Sequence, residues 1–373
     1  MAYFDNAATT RQKPEVVHQA FSFYMREIGV TPGRGSYSLA IDASRMLYQA
    51  RKTTAMFFGA SGPDSVAFTK NSTEAINLFF KGYLKKGDVV LISPFEHNAV
   101  LRPLHALKEA GAIDYKVFPE TVIDNPALLK EYADSSSSLV ATTLASNLTG
   151  QIVFTTKLAS VAHELGLNVF VDASQGAGKK LINMKRDGID VLAFTGHKDM
   201  LAYPGVGGLV STASFDFPPM IQGGMGVHGE YYVNPDIYPD AYEAGTINMP
   251  AIWSLKRSIE YINENIESII SEEHELLQRC IEGLSRIPKV ILYRKDVRRV
   301  PTFCFNIEGT ASNIVVDYLN RKNICVRGGI HCAIKAHETL GTVTTGAVRV
   351  SINHNNTEED VDALIDSIKE FVS

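Results

Sequence analysis

The sequence has little cysteine, no long apolar run and no cluster of positive charge. Cys280, Cys304, Cys325 and Cys332 are the only cysteines in 373 residues, and no two form a Cys-x-x-Cys pair. Such sparing use fits an intracellular protein and gives no disulfide framework. A zinc site built on Cys325, His331 and Cys332 lacks a fourth ligand at sensible spacing, so no metal is expected. No apolar stretch reaches the roughly 20 residues needed to cross a bilayer. Met1-Ala2-Tyr3-Phe4-Asp5 has neither a basic n-region nor an apolar h-region. The expectation is a soluble, cytoplasmic chain with no membrane partner. A formal charge of -5 without a basic tract argues against nucleic acid. No G-x-G-x-x-G follows the first credible strand, which removes the dinucleotide fingerprint.

What is present is a substantial core. Apolar residues make up 45% and charged residues 21% of the chain, a globular composition. Short apolar strands are expected at Ser65-Thr69, Asp88-Ile92, Leu139-Leu144, Asn168-Val171, Val191-Phe194 and Gly208-Ser211. Helical patterns lie between several of them, at Thr73-Tyr83, Val100-Ala110 and Thr155-Leu165. Near-continuous apolar strands alternating with helices imply a mostly parallel sheet covered on both faces. Reactive groups then collect beyond the carboxyl ends of the strands. After about Leu209 the composition changes. Phe215 to Pro250 is rich in Gly, Pro and Tyr and reads as an ordered surface excursion. A long helix follows, with an apolar stripe of Ile252, Leu255, Ile259, Ile262 and Ile266. Strands near Val290-Leu292, Phe303-Ile307 and Ala347-Ser351, a helix at Ser312-Asn320 and a last helix capped by Thr357 and Asp360 complete a smaller α+β unit. The expected division is 15-249 for the large domain, with 1-14 and 250-373 forming the smaller one.

Several groups at strand ends carry chemical potential. Lys198 follows the apolar run Val191-Leu192-Ala193-Phe194, where partial desolvation favours the neutral amine that makes a Schiff base. His197 beside it, taken by itself, reads as a packed or capping residue. Asp172 suits the ring nitrogen of a pyridine cofactor, and Gln175 its phenolic oxygen; Asp172 also fits an ordinary helix cap. Lys70-Asn71-Ser72-Thr73-Glu74 opens a helix whose amides and hydroxyls seat a phosphate or simply cap the helix. His97 follows another strand and is placed to stack on an aromatic ring. Arg349, within a strand, needs an anion, either a structural carboxylate or that of a substrate. Asn147 is a second donor for the same carboxylate, or the centre of a turn near Gly150. Cys280, Cys304 and Cys325 read as core residues. Cys332 follows Arg327-Gly328-Gly329 and stands apart as a reactive thiol.

In order along the chain, these blocks closely resemble the cysteine desulfurase/selenocysteine lyase branch of the class V aminotransferases, enzymes of pyridoxal-phosphate fold type I. The resemblance runs from Tyr3-Phe4-Asp5-Asn6-Ala7-Ala8-Thr9-Thr10 through Asn71-Ser72-Thr73-Glu74-Ala75-Ile76-Asn77, Glu96-His97-Asn98 and Ser146-Asn147-Leu148-Thr149-Gly150. It continues through Asp172-Ala173-Ser174-Gln175, Thr195-Gly196-His197-Lys198 and Tyr242-Glu243-Ala244-Gly245-Thr246-Ile247-Asn248 to Arg327-Gly328-Gly329-Ile330-His331-Cys332-Ala333. It implies pyridoxal 5'-phosphate carried by Lys198, with His97 on the ring and Asp172 on its nitrogen. Gln175 would touch the phenolic oxygen. Thr73, Thr195 and His197 would hold the phosphate, and Thr246 would reach it across a homodimer interface.

By the same resemblance, Asn147 and Arg349 would hold the carboxylate of L-cysteine or a related small amino acid. Cys332 would take its sulfur as a persulfide, and a protein sulfur acceptor would remove it. Selenocysteine lyase is the alternative activity, and a sulfur-relay scaffold the non-catalytic one. The chain departs from the pattern at Met225, where relatives often carry a hydroxyl residue. It departs again after Ala333, where Ile334-Lys335-Ala336-His337 replaces small spacer residues. These departures bear on partner and substrate choice. His331 is open to a role in loop orientation, proton traffic or structure.

Overall fold

The computed structural model describes residues 1–33, 35–212, 217–225, 232–234 and 238–373. The chain begins with strand β1 (Ala2–Tyr3). It then builds β2 (Val66–Thr69), β3 (Val89–Ile92), β4 (Asp114–Val117), β5 (Ser137–Thr143), β6 (Asn168–Asp172), β7 (Val191–Thr195) and β8 (Gly207–Ser211). The last seven form one sheet in the order β2-β8-β7-β6-β5-β3-β4. All neighbours pair in parallel except β8, which is antiparallel to both β2 and β7. Alternate strand residues face opposite sides. Leu91, Val140, Val171, Leu192 and Phe194 enter one core, and Val90, Ile92, Ala141, Phe170 and Ala193 enter the other. Helices 38–58 and 156–164 cover the first face with Ala50, Phe58, Leu158 and Ala162. Helices 72–83 and 98–109 cover the second with Ile76, Phe79, Val100 and Leu104. The expected α/β fold class is the one observed.

A smaller sheet holds β9 (Val290–Leu292), β10 (Thr302–Ile307), β12 (Arg327–Gly329) and β13 (Ala347–Ser351), in the order β12-β13-β10-β9. The short β11 (Ile324–Cys325) pairs in parallel with β1. Phe4, Phe303, Phe305, Leu319, Val348, Val350 and Leu364 form the core of this region. The helix Met249–Ser285 serves both regions. Ile252, Leu255 and Ile259 pack under the large sheet, whereas Leu277, Cys280 and Leu284 pack under the small one. Of the expected stripe, Ile252, Leu255, Ile259 and Ile262 are buried, and Ile266 only partly so. In the expected excursion from Phe215 to Pro250, residues 215, 216, 226–231 and 235–237 lie outside those described, Gly226 among them. The final helix is capped as expected, by reciprocal bonds between Thr357 and Asp360.

Element edges moved where a cap was not foreseen. The helix expected from Val100 starts at Asn98, because the His97 ring caps it: Nδ1 accepts from Ala99 N–H at 3.0 Å. The helix expected from Thr73 starts at Ser72, with Asn71 as its cap. Ser72 and Thr73 are therefore not the capping residues. Strand β4 was not anticipated, since its half-exposed alternation sits on an edge with few apolar residues.

Candidate active site

Strands β3, β5, β6 and β7 run parallel, so their carboxyl ends share one edge, where sites form in open α/β sheets. Asp172 ends β6 and Thr195 ends β7, three residues before Lys198. A cavity of about 200 Å³ lies there, lined by Asn71, Ser72, Thr73, His97, Thr143, Asn147, Asp172, Ser174, Gln175, Thr195, His197 and Lys198. Nine of the residues expected in the site therefore converge: Ser72, Thr73, His97, Asn147, Asp172, Gln175, Thr195, His197 and Lys198. Asn71, Thr143 and Ser174 join them, although the sequence reading gave them no role in the site.

Lys198 is held by its backbone. Thr10 Oγ1 donates to the Lys198 carbonyl at 2.5 Å, while Thr10 N–H and Lys13 Nζ donate to the His197 carbonyl at 3.1 and 2.8 Å. On the other side Gly178 (φ +97°) comes so close that a Cβ there would sit 2.2 Å from the Asp199 carbonyl, so only glycine fits. Burial pulls the Lys198 amine below the usual lysine range; the charges of Arg349 and Arg327 add to this, and those of Asp172 and Asp199 oppose it. Asp172 Oδ1 accepts from Ser174 N–H (3.0 Å) and Ser174 Oγ (2.5 Å). Burial raises its carboxyl pKa despite those bonds.

Both imidazoles are neutral at physiological pH. Burial lowers His97 to about 3 and His197 to about 4, with the nearby Lys198 charge adding to each shift. Because His97 Nδ1 accepts a hydrogen bond, the network assigns its proton to Nε2. His197 Nδ1 pairs with Thr9 Oγ1 at 3.0 Å. Thr195 Oγ1 is buried without a partner. A buried hydroxyl left unpaired at a cavity wall marks a place for a polar ligand. Gln175 Nε2 spends one N–H on the Ala7 carbonyl at 2.9 Å.

Arg349 and Cys332 stand just behind this wall. Arg349 is 1% exposed; its Nη2 pairs with Asp5 at 2.5 Å and its Nη1 donates to the Asn147 carbonyl at 3.0 Å, while Nε has no partner. Burial lowers its pKa. Of the two readings left open by the sequence, the structural ion pair is the contact made here. Cys332 is half-buried on a turn tied to the cavity wall: Asn98 N–H donates to its carbonyl at 2.8 Å, and Asn147 Nδ2 to that of His331 at 2.7 Å. Cys280 and Cys304 are core residues, as expected, and burial pushes the Cys304 thiol up to about 12. Cys325 is only half-buried.

Thr246 is not in this cavity. It lines a neighbouring space of about 490 Å³ that shares Asn71 and His197 with the first. Glu243 anchors its segment by accepting from Phe68 N–H at 2.7 Å and Arg51 at 2.6 Å.

A desolvated lysine sharing a cavity with a buried carboxylate, at the carboxyl edge of a doubly wound sheet, defines an enzyme site for amine chemistry. The chain belongs to the class-V aminotransferase family, whose profile matches residues 2–364. It is 33% identical to a probable cysteine desulfurase of Methanothermobacter thermautotrophicus, over 99% of this chain and 94% of that protein. It superposes on the apo structure of the cysteine desulfurase from Thermococcus onnurineus NA1 with a TM-score of 0.90 at 31% identity, covering 99% of this chain and 94% of that one. The cysteine desulfurase CsdA of Escherichia coli, as the S-sulfonic acid, matches with a TM-score of 0.89 at 27% identity, over 100% of this chain and 94% of that one.

Proposed function

We propose that the protein is a pyridoxal-phosphate-dependent cysteine desulfurase, converting L-cysteine to L-alanine and passing sulfur to Cys332. The observation that carries this reading is the tie between two features. The cavity of the lowered-pKa Lys198 shares a wall residue, Asn147, with the turn that presents Cys332. Bound there, the cofactor supplies an electron sink that makes the substrate's α proton removable.

The chain's own residues do the rest. Lys198 carries the cofactor and moves the α proton. Asp172 would pair with the ring nitrogen, His97 would lie against the ring, and the free N–H of Gln175 would serve the phenolic oxygen. The phosphate would be held by the amides and hydroxyls of Ser72 and Thr73 at a helix start, by Thr195 Oγ1, which has no partner here, and by His197. Thr246 completes the phosphate site of a partner subunit in a homodimer; its place in the adjoining cavity supports this. Asn147 and Arg349 hold the amino-acid carboxylate, for which Arg349 Nε is available.

In sulfur transfer the substrate's carbon–sulfur bond breaks and a sulfur–sulfur bond to Cys332 forms. The carbon–sulfur electron pair stays on carbon and takes a proton, giving alanine and a persulfide, Cys332–S–SH. A protein acceptor then removes the outer sulfur. The deciding experiment incubates wild type and Cys332→Ala with L-cysteine, then measures alanine and maps persulfide by mass spectrometry. Wild type should yield both, and the variant should lose the persulfide and most of the alanine. Undiminished alanine formation by Cys332→Ala would reject the transfer.

A further inference from the structure

Four hydrogen bonds fix the turn that carries Cys332. Ala333 N–H donates to the Ile330 carbonyl at 3.0 Å, and Asn98 N–H to the Cys332 carbonyl at 2.8 Å. His331 Nε2 donates to the Arg327 carbonyl at 3.1 Å. Asn147 Nδ2 donates to the His331 carbonyl at 2.7 Å. His331 and Cys332 both have φ near +55°. Side chains rarely take that left-handed conformation, and it persists only where the surroundings impose it.

Three of these bonds come from backbone or from the turn's own imidazole. The fourth comes from a side chain that lines the Lys198 cavity. Asn147 is itself fixed, being 6% exposed with its carbonyl accepting from Arg349 Nη1. A primary amide has two N–H donors. One lies on His331, which leaves the other for an acceptor in the cavity.

Resting on the reading of Cys332 as sulfur acceptor, we infer that Asn147 is the positioning residue of the cysteine turn. One amide proton holds the His331 carbonyl and the other takes the carboxylate of the amino acid. A single planar group thus sets the spacing between bound substrate and thiol. Substrate and nucleophile are aligned by the same side chain, and loss of that side chain loosens the turn even when no substrate is present.

A residue that only bound substrate would leave Cys332 untouched in the substrate's absence. The test therefore alkylates the pyridoxal-phosphate-loaded protein with iodoacetamide, with no amino acid added. Modification of Cys332 is followed by peptide mass spectrometry in wild type, Asn147→Asp and Asn147→Ala. Because Cys332 is half-buried, its rate reads how often the turn opens. Removing the donor should speed alkylation about tenfold in both variants, the ratio set by one lost buried hydrogen bond. Amide hydrogen exchange over residues 328–334 should rise with it, while exchange in Asn168–Asp172 stays unchanged. An unchanged alkylation rate in both variants overturns the assignment. So does a rise matched by equal loosening of Asn168–Asp172, because then the fold itself has given way. Sulfur transfer is decided separately: full alanine formation by Cys332→Ala would remove the nucleophile and leave the tether standing.

Discussion

Lys179 and Lys198 follow adjacent strands, β6 and β7, and burial strips water from both, yet their surroundings drive them in opposite directions. Lys179 meets Asp199 at 3.2 Å, Glu273 at 3.3 Å and the Ile352 carbonyl at 2.7 Å. Burial works against its charge, but the two carboxylates outweigh burial and its pKa is raised. Lys198 has Asp172 as its main attraction, and burial prevails. The difference lies in the supply of acceptors rather than in depth. One lysine is a structural cation joining the large sheet to the helix Met249–Ser285 and the end of β13, and the other is an amine kept ready for chemistry.

The strongest way to break this contrast is to remove the reactive amine. Lys198→Ala should cut turnover on the order of 10⁴-fold or more, since a group central to every step is lost. Borohydride reduction of the cofactor-loaded wild type, followed by peptide mapping, should find the adduct on Lys198; an adduct on Lys179 would erase the distinction. Next in size is Lys179→Met, which leaves Asp199 and Glu273 buried without their cation. A cost of about 3–5 kcal/mol is expected in urea unfolding. A cost below about 1 kcal/mol would show that water already reaches the pair.

A buried carboxyl sharpens the comparison from the acidic side. Glu96 is fully buried beneath the site and accepts from Ser93 Oγ and from Thr143 N–H at 2.8 Å. Burial pushes its pKa up to about 8 from 4.5. The folded protein therefore keeps a proton that the unfolded chain releases between those values. Its contribution to stability is full below about pH 4.5 and is lost as pH rises through about 8. Glu96→Gln has no proton to lose, so its advantage over wild type should grow across that window. It should reach on the order of 2–4 kcal/mol near pH 8. Thermal unfolding at pH 5 and pH 8 measures it; a pH-independent difference would mean that Glu96 titrates like an exposed acid.

The contrast between the two lysines also marks what a sequence discloses. Lys198 was legible because it follows an uninterrupted apolar strand, and Asp172 because it closes the one before it. Short-range patterns placed the sheet and most of the cavity wall for the same reason. Lys179 was not legible, because its partners Asp199 and Glu273 lie 20 and 94 positions away with no periodicity linking them. Asp5 on Arg349 is separated from its partner by 344 positions and was likewise invisible. Even the caps on Asn98 and Ser72 depended on which way a neighbouring side chain turned, which hydrophobic spacing does not encode.

The strand Ala2–Tyr3 pairs with Ile324–Cys325, and residues just after it bind Ser351 and the Lys198 carbonyl. This layout imposes an order of events during synthesis. A ribosome adding about 5–20 residues per second delivers Tyr3 roughly 15–70 s before its strand partner emerges. The large sheet can close in that interval, but the clasp over Lys198 lacks its anchor until the smaller sheet exists. The amine is therefore placed with the large sheet but locked only later, so a nascent chain cannot hold a finished site before its other half has been made.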